Sequence, residues 1–104
     1  MLSFIKTENA FNKLLRRGTK QEEDVSFLFV SPYDKYCNDL IKEIASGNHK
    51  LPSKLHVVDS FETPHAFVAC STNKVPCLVE IKSRKKQIEY YLPFIYERLG
   101  VSLQ

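Results

Sequence analysis

The sequence predicts an α/β fold: a mixed central sheet flanked by helices, with elements in the order βαβαβαββα. Three observations carry this. Residues Val25 to Val30 read Val-Ser-Phe-Leu-Phe-Val, a near-continuous apolar run of the kind buried on both faces of a parallel sheet. Short apolar runs of this sort alternate with segments of helical periodicity, the pattern of strands joined by crossover helices. Two strand-like segments then flank a basic turn near the C-terminus and add an antiparallel edge. At 104 residues the chain is sized for one domain, spanning 1–104, with a single modest core.

Taken in order, Leu2 to Ile5 is a short apolar strand. Thr7 offers an N-cap with Glu8 in the first turn, and Ala10, Phe11, Leu14 and Leu15 follow at helical spacing. Arg16-Arg17-Gly18 is expected to close that helix, since cations suit its negative end and glycine tolerates a left-handed residue. Residues 19–24 then form a polar loop. After the strand at Val25–Val30, Ser31-Pro32-Tyr33 turns the chain. Asp34 caps a helix whose apolar stripe is Cys37, Leu40, Ile41 and Ile44, ended by Ser46-Gly47-Asn48. Leu55 to Val58 is a buried strand. Thr63-Pro64 is a cap followed by an N1 proline, starting a helix through Ala66, Phe67 and Cys70. Cys77 to Ile81 and Gln87 to Tyr91 form a hairpin around Lys82-Ser-Arg-Lys-Lys86. Leu92-Pro93 opens a last helix with Ile95, Tyr96 and Leu99 inward and Gly100 as its stop. Phe27, Phe29, Val57, Leu78 and Ile81 are expected at the centre of a four- or five-stranded sheet.

The composition is that of a soluble globular protein, with 43% hydrophobic and 26% charged residues. A net charge of +3 is too slight to point to nucleic acid or to a membrane surface. No apolar run approaches the ~20 residues needed to span a bilayer, and the N-terminus lacks the pattern of a secretory signal. Three cysteines are an odd number without a disulfide framework, so a reducing, cytoplasmic-type compartment is expected.

The most informative stretch is Asp34-Lys35-Tyr36-Cys37, just past the apolar strand, with Val75-Pro76 about forty residues later. It resembles the active-site corner of the thioredoxin and glutaredoxin family with its first cysteine missing. Dithiol members carry Cys-x-x-Cys there, and glutaredoxins often carry Cys-Pro-Tyr-Cys. This chain keeps Tyr36 and Cys37 and places Asp34 where the attacking sulfur belongs. The resemblance covers nearly the whole chain and implies the thioredoxin fold. It also implies that Pro76 follows a cis peptide bond and faces the corner formed by Tyr33, Asp34, Lys35, Tyr36, Val75 and Cys77.

The chemistry implied by the resemblance is incomplete. In dithiol members the first cysteine is an exposed thiolate favoured by the helix N-terminus, and the second resolves the mixed disulfide. An aspartate cannot attack sulfur, and its charge opposes a neighbouring thiolate. The family's buried carboxylate in the preceding strand falls at about Leu28. The Gly-Gly-x-x-Asp segment of a glutathione site is missing after Ile81, so no glutathione site, and no other cofactor, is expected. Cys37 is read as a core thiol on the stripe of Leu40, Ile41 and Ile44; the competing reading is a reactive single thiol. Cys77 should lie close enough to Cys37 to line the same core, with a disulfide conceivable. Cys70 is a packing residue. His49, His56 and His65 lack metal-ligand spacing and are read as surface or strand-end residues, so no metal site is expected. The cations Lys82, Arg84, Lys85 and Lys86 are read as a solvated hairpin tip.

Tyr90, Tyr91, Phe94 and Tyr96 crowd the last helix in greater number than one face can bury, which favours a protein interface. Two functions are therefore in play. One is a non-catalytic thioredoxin-like module that serves as a structural or protein-binding subunit of a larger assembly, of which a minor virion component is one concrete form. The other is a thiol-disulfide oxidoreductase working through Cys37 alone.

Overall fold

The computed structural model describes residues 2–21, 23–46, 55–82 and 86–100. Nine elements follow one another: β1 (Leu2–Ile5), α1 (Glu8–Lys20), β2 (Val25–Val30), α2 (Lys35–Ser46), β3 (Leu55–Asp59), α3 (Pro64–Ala69), β4 (Cys77–Lys82), β5 (Lys86–Tyr90) and α4 (Phe94–Leu99). The strands form one five-stranded sheet in the order β1-β3-β2-β4-β5. β1 and β2 both run parallel to β3, whereas β4 is antiparallel to β2 and to β5. This is the βαβαβαββα arrangement of the sequence analysis, with a mixed sheet.

All six residues of β2 are buried, because the sheet is covered on both sides. Period-2 alternation sends Phe27 and Phe29 to one face, where α1 and α3 supply Phe11, Ala66 and Phe67. Phe11 lies 4.9 Å from Phe27 between ring centroids, and Phe29 meets Phe67 edge-on at 4.8 Å. Leu28 and Val30 point to the other face, where α2 and α4 supply Cys37, Leu40, Ile44, Ile95 and Leu99. There are thus two core layers, not one.

Local sequence explains most element ends. Thr7 caps α1 as expected, accepting the Ala10 N–H at 3.1 Å. Gly100 ends α4 with φ 67°, the left-handed conformation that glycine adopts without strain. Gly18 is different. The helix does not stop there but runs through Thr19 and Lys20 to a cap at Gln21. Gly18 is buried, and a Cβ on it would stand 3.1 Å from Ile81 Cγ2 and 3.3 Å from Val25 Cγ2. The glycine is there to let the helix approach the sheet. Thr63 also departs from expectation: its hydroxyl donates to the Asp59 carbonyl at 3.0 Å instead of capping α3. The cap comes from far away in sequence, as Glu8 Oε1 accepts the His65 N–H at 3.1 Å. The expected stop at Gly47-Asn48, His49 and the turn residues Ser83, Arg84 and Lys85 lie outside the described residues.

One buried charge was not foreseen. Glu80 on β4 is 1% exposed, on the face covered by α4. Arg98 Nε donates to its Oε1 at 3.2 Å, and Arg98 Nη2 stands 2.9 Å from Oε2 as a charge contact. Burial pulls the Arg98 guanidinium down, but the Glu80 hydrogen bond and charge outweigh it and hold Arg98 above its ordinary value. The pair anchors α4 to the sheet, and Lys82 Nζ, 3.9 Å from Glu80 Oε1, adds a second cation to the same carboxylate.

The Gly18 contact yields a test. Replacing Gly18 with Leu forces side-chain atoms into Ile81 and Val25, and should lower unfolding free energy by about 3 kcal/mol in urea titrations. Gly18→Ala sets about 1 kcal/mol of gained helix propensity against comparable crowding, so its net change should stay below about 1 kcal/mol.

Candidate functional site

The corner following β2 is built by short-range hydrogen bonds. The Asp34 N–H donates to the Ser31 carbonyl at 3.2 Å, closing the turn. Asp34 Oδ1 then accepts the Cys37 N–H at 3.0 Å, so the aspartate side chain occupies the free end of α2. Asn38 Nδ2 donates to the Pro32 carbonyl at 3.1 Å and ties the turn to the helix. The Val75–Pro76 peptide is cis, as is Leu92–Pro93. Val75 packs against the same core layer as Cys37.

Cys37 itself is 0% exposed. Burial pushes its thiol up to about 11; the backbone of Ser31 pulls the other way, and the charge and hydrogen bond of Asp34 add to the rise. A reactive cysteine needs the opposite, a depressed pKa and access to solvent. The same aspartate that completes the helix therefore disfavours the thiolate.

The three thiols are all free and all buried. Contrary to expectation, Cys37 and Cys77 do not line one core. Cys37 belongs to the layer under α2 and α4, and Cys77 to the layer under α1 and α3. The reason is the strand period: Cys77 is paired in register with Phe29 and shares its face, whereas the helix carrying Cys37 covers the face of Leu28. Cys77 instead shares its layer with Cys70, whose thiol burial also pushes up to about 11. Burial raises Cys77 as well, against hydrogen bonds from Tyr91 and Thr72 that lower it.

The expected aromatic interface also divides. Tyr91 packs on the layer of Cys77, while Tyr90, Leu92 and Tyr96 pack on that of Cys37. These tyrosines are half-buried; of the group, Phe94 alone is strongly exposed, at 59%. The alternation of β5 continuing into Tyr91 is what splits them. The other exposed rings lie elsewhere: Tyr33 at 81%, Tyr36 at 64%, Phe61 at 64% and Phe4 at 51%. Tyr33 and Phe61 meet edge-on with centroids 5.0 Å apart. Phe61 was missed in the sequence, where an aromatic beside Asp59-Ser60 in a loop is its only trace.

A groove of about 550 Å³ runs between α2 and the segment opening α4. Tyr36, Leu92, Pro93 and Tyr96 give it apolar walls, and Lys35, Asp39, Lys42 and Glu43 line its α2 side. Among the histidines, His65 is exposed as expected. His56 is not a surface residue; it is buried in β3 beside Phe27, with rings 6.0 Å apart. Among the described residues no group of three or more His, Cys, Asp or Glu is placed to hold a metal ion, and no helix is long and apolar enough to cross a membrane.

Two measurements follow. Because the folded thiols of Cys37 and Cys70 titrate near 11, the unfolded chain loses thiol protons first as pH rises past about 8.5. Their contribution to stability is complete below that pH, declines by up to about 1.4 kcal/mol per unit per thiol, and is gone above pH 11. Urea titrations across this range should show the fall, and Cys70→Ala should make it shallower. Asp34→Ala should cost about 1 kcal/mol through the lost cap, whereas Asp34→Asn should retain stability and lower the Cys37 pKa, read from thiolate absorbance.

No protein-family model and no curated protein sequence matches the chain. Solved structures do. Thioredoxin O2 of Arabidopsis thaliana, in its oxidized state, superposes with a TM-score of 0.74 at 21% identity, over 94% of this chain and 93% of that one. Thioredoxin O1 of the same plant gives 0.71 at 18% identity, over 94% and 96%. Schistosoma mansoni thioredoxin gives 0.69 at 15% identity, over 95% and 93%. With the same element order and coverage of nearly the full length on both sides, the chain has the thioredoxin-like fold.

Proposed function

We propose that this chain is a non-catalytic thioredoxin-like module that acts by binding another protein. The observation that carries this is the corner itself: Asp34 caps the helix where a nucleophilic thiolate would sit, and Cys37 behind it is fully buried with a raised pKa. Thiol-disulfide exchange needs an exposed thiolate and a second thiol to resolve the mixed disulfide. Cys37 has no cysteine neighbour in its core layer, since Cys70 and Cys77 lie in the other. Exposed Tyr33, Tyr36, Phe61 and Phe94 supply the rings that a protein interface uses. The free thiols fit a reducing compartment.

A second reading has its own support. The structural neighbours are thioredoxins, and Cys37 stands in the first turn of α2, where the helix end favours a thiolate once exposed. A single-thiol oxidoreductase through Cys37 is therefore the competing function. Thiol labelling separates the two. The binding-module reading expects all three cysteines to label only after denaturation, and insulin reduction to stay at background. Rapid labelling of one cysteine in the folded protein, with turnover abolished by Cys37→Ser, would establish the redox function instead.

A further inference from the structure

We propose that the groove between α2 and the Leu92–Tyr96 segment holds an extended, proline-rich segment of a partner protein. This rests on the binding-module reading and adds the site and the chemistry of its occupant. Its lining includes two tyrosine rings, Tyr36 and Tyr96, together with Leu92 and Pro93. Flat aromatic walls suit pyrrolidine rings, which pack on them with little entropy to lose because the polyproline II backbone is already extended.

The polar groups fit the same occupant. A polyproline II segment makes no internal hydrogen bonds, so its carbonyls seek donors while it has few N–H groups to offer. The groove presents donors: the hydroxyls of Tyr36 and Tyr96 and the ammonium groups of Lys35 and Lys42. Burial and the nearby charges of Asp39 and Glu43 push the Tyr96 hydroxyl up, which keeps it protonated and donating. Strand addition is not available here, because the groove is lined by helix and turn residues and by no sheet edge.

Charge and area narrow the choice further. Lys35 and Lys42 are balanced by Asp39 and Glu43, with Lys35 Nζ 4.0 Å from Asp39 Oδ2, so the α2 rim is neutral and selects no polyanion or polycation. Among the residues lining the groove, Tyr36 is the strongly exposed ring, at 64%. At roughly 200 Å² per ring side chain it offers about 130 Å². That is short of the about 800 Å² each partner contributes to a standard globular interface, and suits a short peptide.

The experiment is a backbone-amide NMR titration of the full chain with decaproline, against a ten-residue Gly-Ser peptide. Saturable shifts are expected at Tyr36, Asp39, Tyr96 and their neighbours with decaproline alone. Tyr36→Ala, an exposed site whose loss leaves both core layers intact, should weaken binding about tenfold, while Lys13→Ala on α1 should not change it. No shift at millimolar decaproline, equal shifts with Gly-Ser, or shifts centred on another face would overturn the inference. Thiol labelling keeps the two readings apart. With the cysteines protected and decaproline silent, this inference falls and the binding module stands. Rapid labelling of Cys37 removes the binding module, and the inference with it, whatever the peptide does.

Discussion

β2 is the wall on which the rest of the structure depends. It lies third of five strands, held by parallel bonds to β3 on one side and antiparallel bonds to β4 on the other, with every side chain buried. A strand in that position cannot be wetted on either face, so both must be covered, and the chain covers them with α1 and α3 on one side and α2 and α4 on the other. Alternation along six residues then sorts the interior into an aromatic layer, with Phe11, Phe27 and Phe29, and an aliphatic one, with Leu28, Leu40 and Leu78. This sorting reaches the chemistry. It separates Cys37 from Cys77 and Tyr91 from Tyr96, although each pair reads as a plausible neighbourhood in sequence.

Much of the architecture was legible because local signals and burial agree. The apolar run at 25–30, the Thr7 cap and Gly100 as a left-handed stop each have one physical meaning, and the structure uses them that way. Gly18 was misread because glycine has two uses, a left-handed residue or a missing Cβ, and only the distance to Ile81 separates them. Thr63 was misread because a buried hydroxyl is satisfied by whichever acceptor is nearest, here the Asp59 carbonyl. His56 and Glu80 are polar residues inside buried strands. Their placement is decided by tertiary partners, Phe27 and Arg98, that no local pattern announces. At the site, Asp34 as a cap was legible; the α2–α4 groove was not, since it joins residues some fifty positions apart.

The electrostatics of the corner have been rearranged as a set. A reactive thiolate at a helix N-terminus is stabilised by the dipole and by unsatisfied N–H groups. In this chain Asp34 takes one of those N–H groups for its own carboxylate and brings a negative charge to the same place. Leu28, on the strand before the corner, is apolar and fully buried. A buried carboxylate does exist, Glu80, but it sits on β4 bound to Arg98 and holds down α4. In both places negative charge serves structure, as a helix cap at Asp34 and as an ion pair at Glu80.

The burial of Cys37 bears on what the surface is free to do. A dithiol enzyme must keep its corner open to reach an incoming disulfide, which limits how much apolar area can gather around it. With Cys37 sealed in the core, no such access is needed, and rings can accumulate on the outside of the same corner. Tyr33 and Phe61 stack on each other there and are still mostly exposed, which is costly for a monomer in water. The ion pair of Glu80 and Arg98 anchors α4, whose Tyr96 lines the groove beside α2. A rigid groove loses little entropy on binding, and a partner already extended loses little more. The fold supplies the frame, and on it this chain places a fully buried Cys37 behind a corner that carries exposed rings.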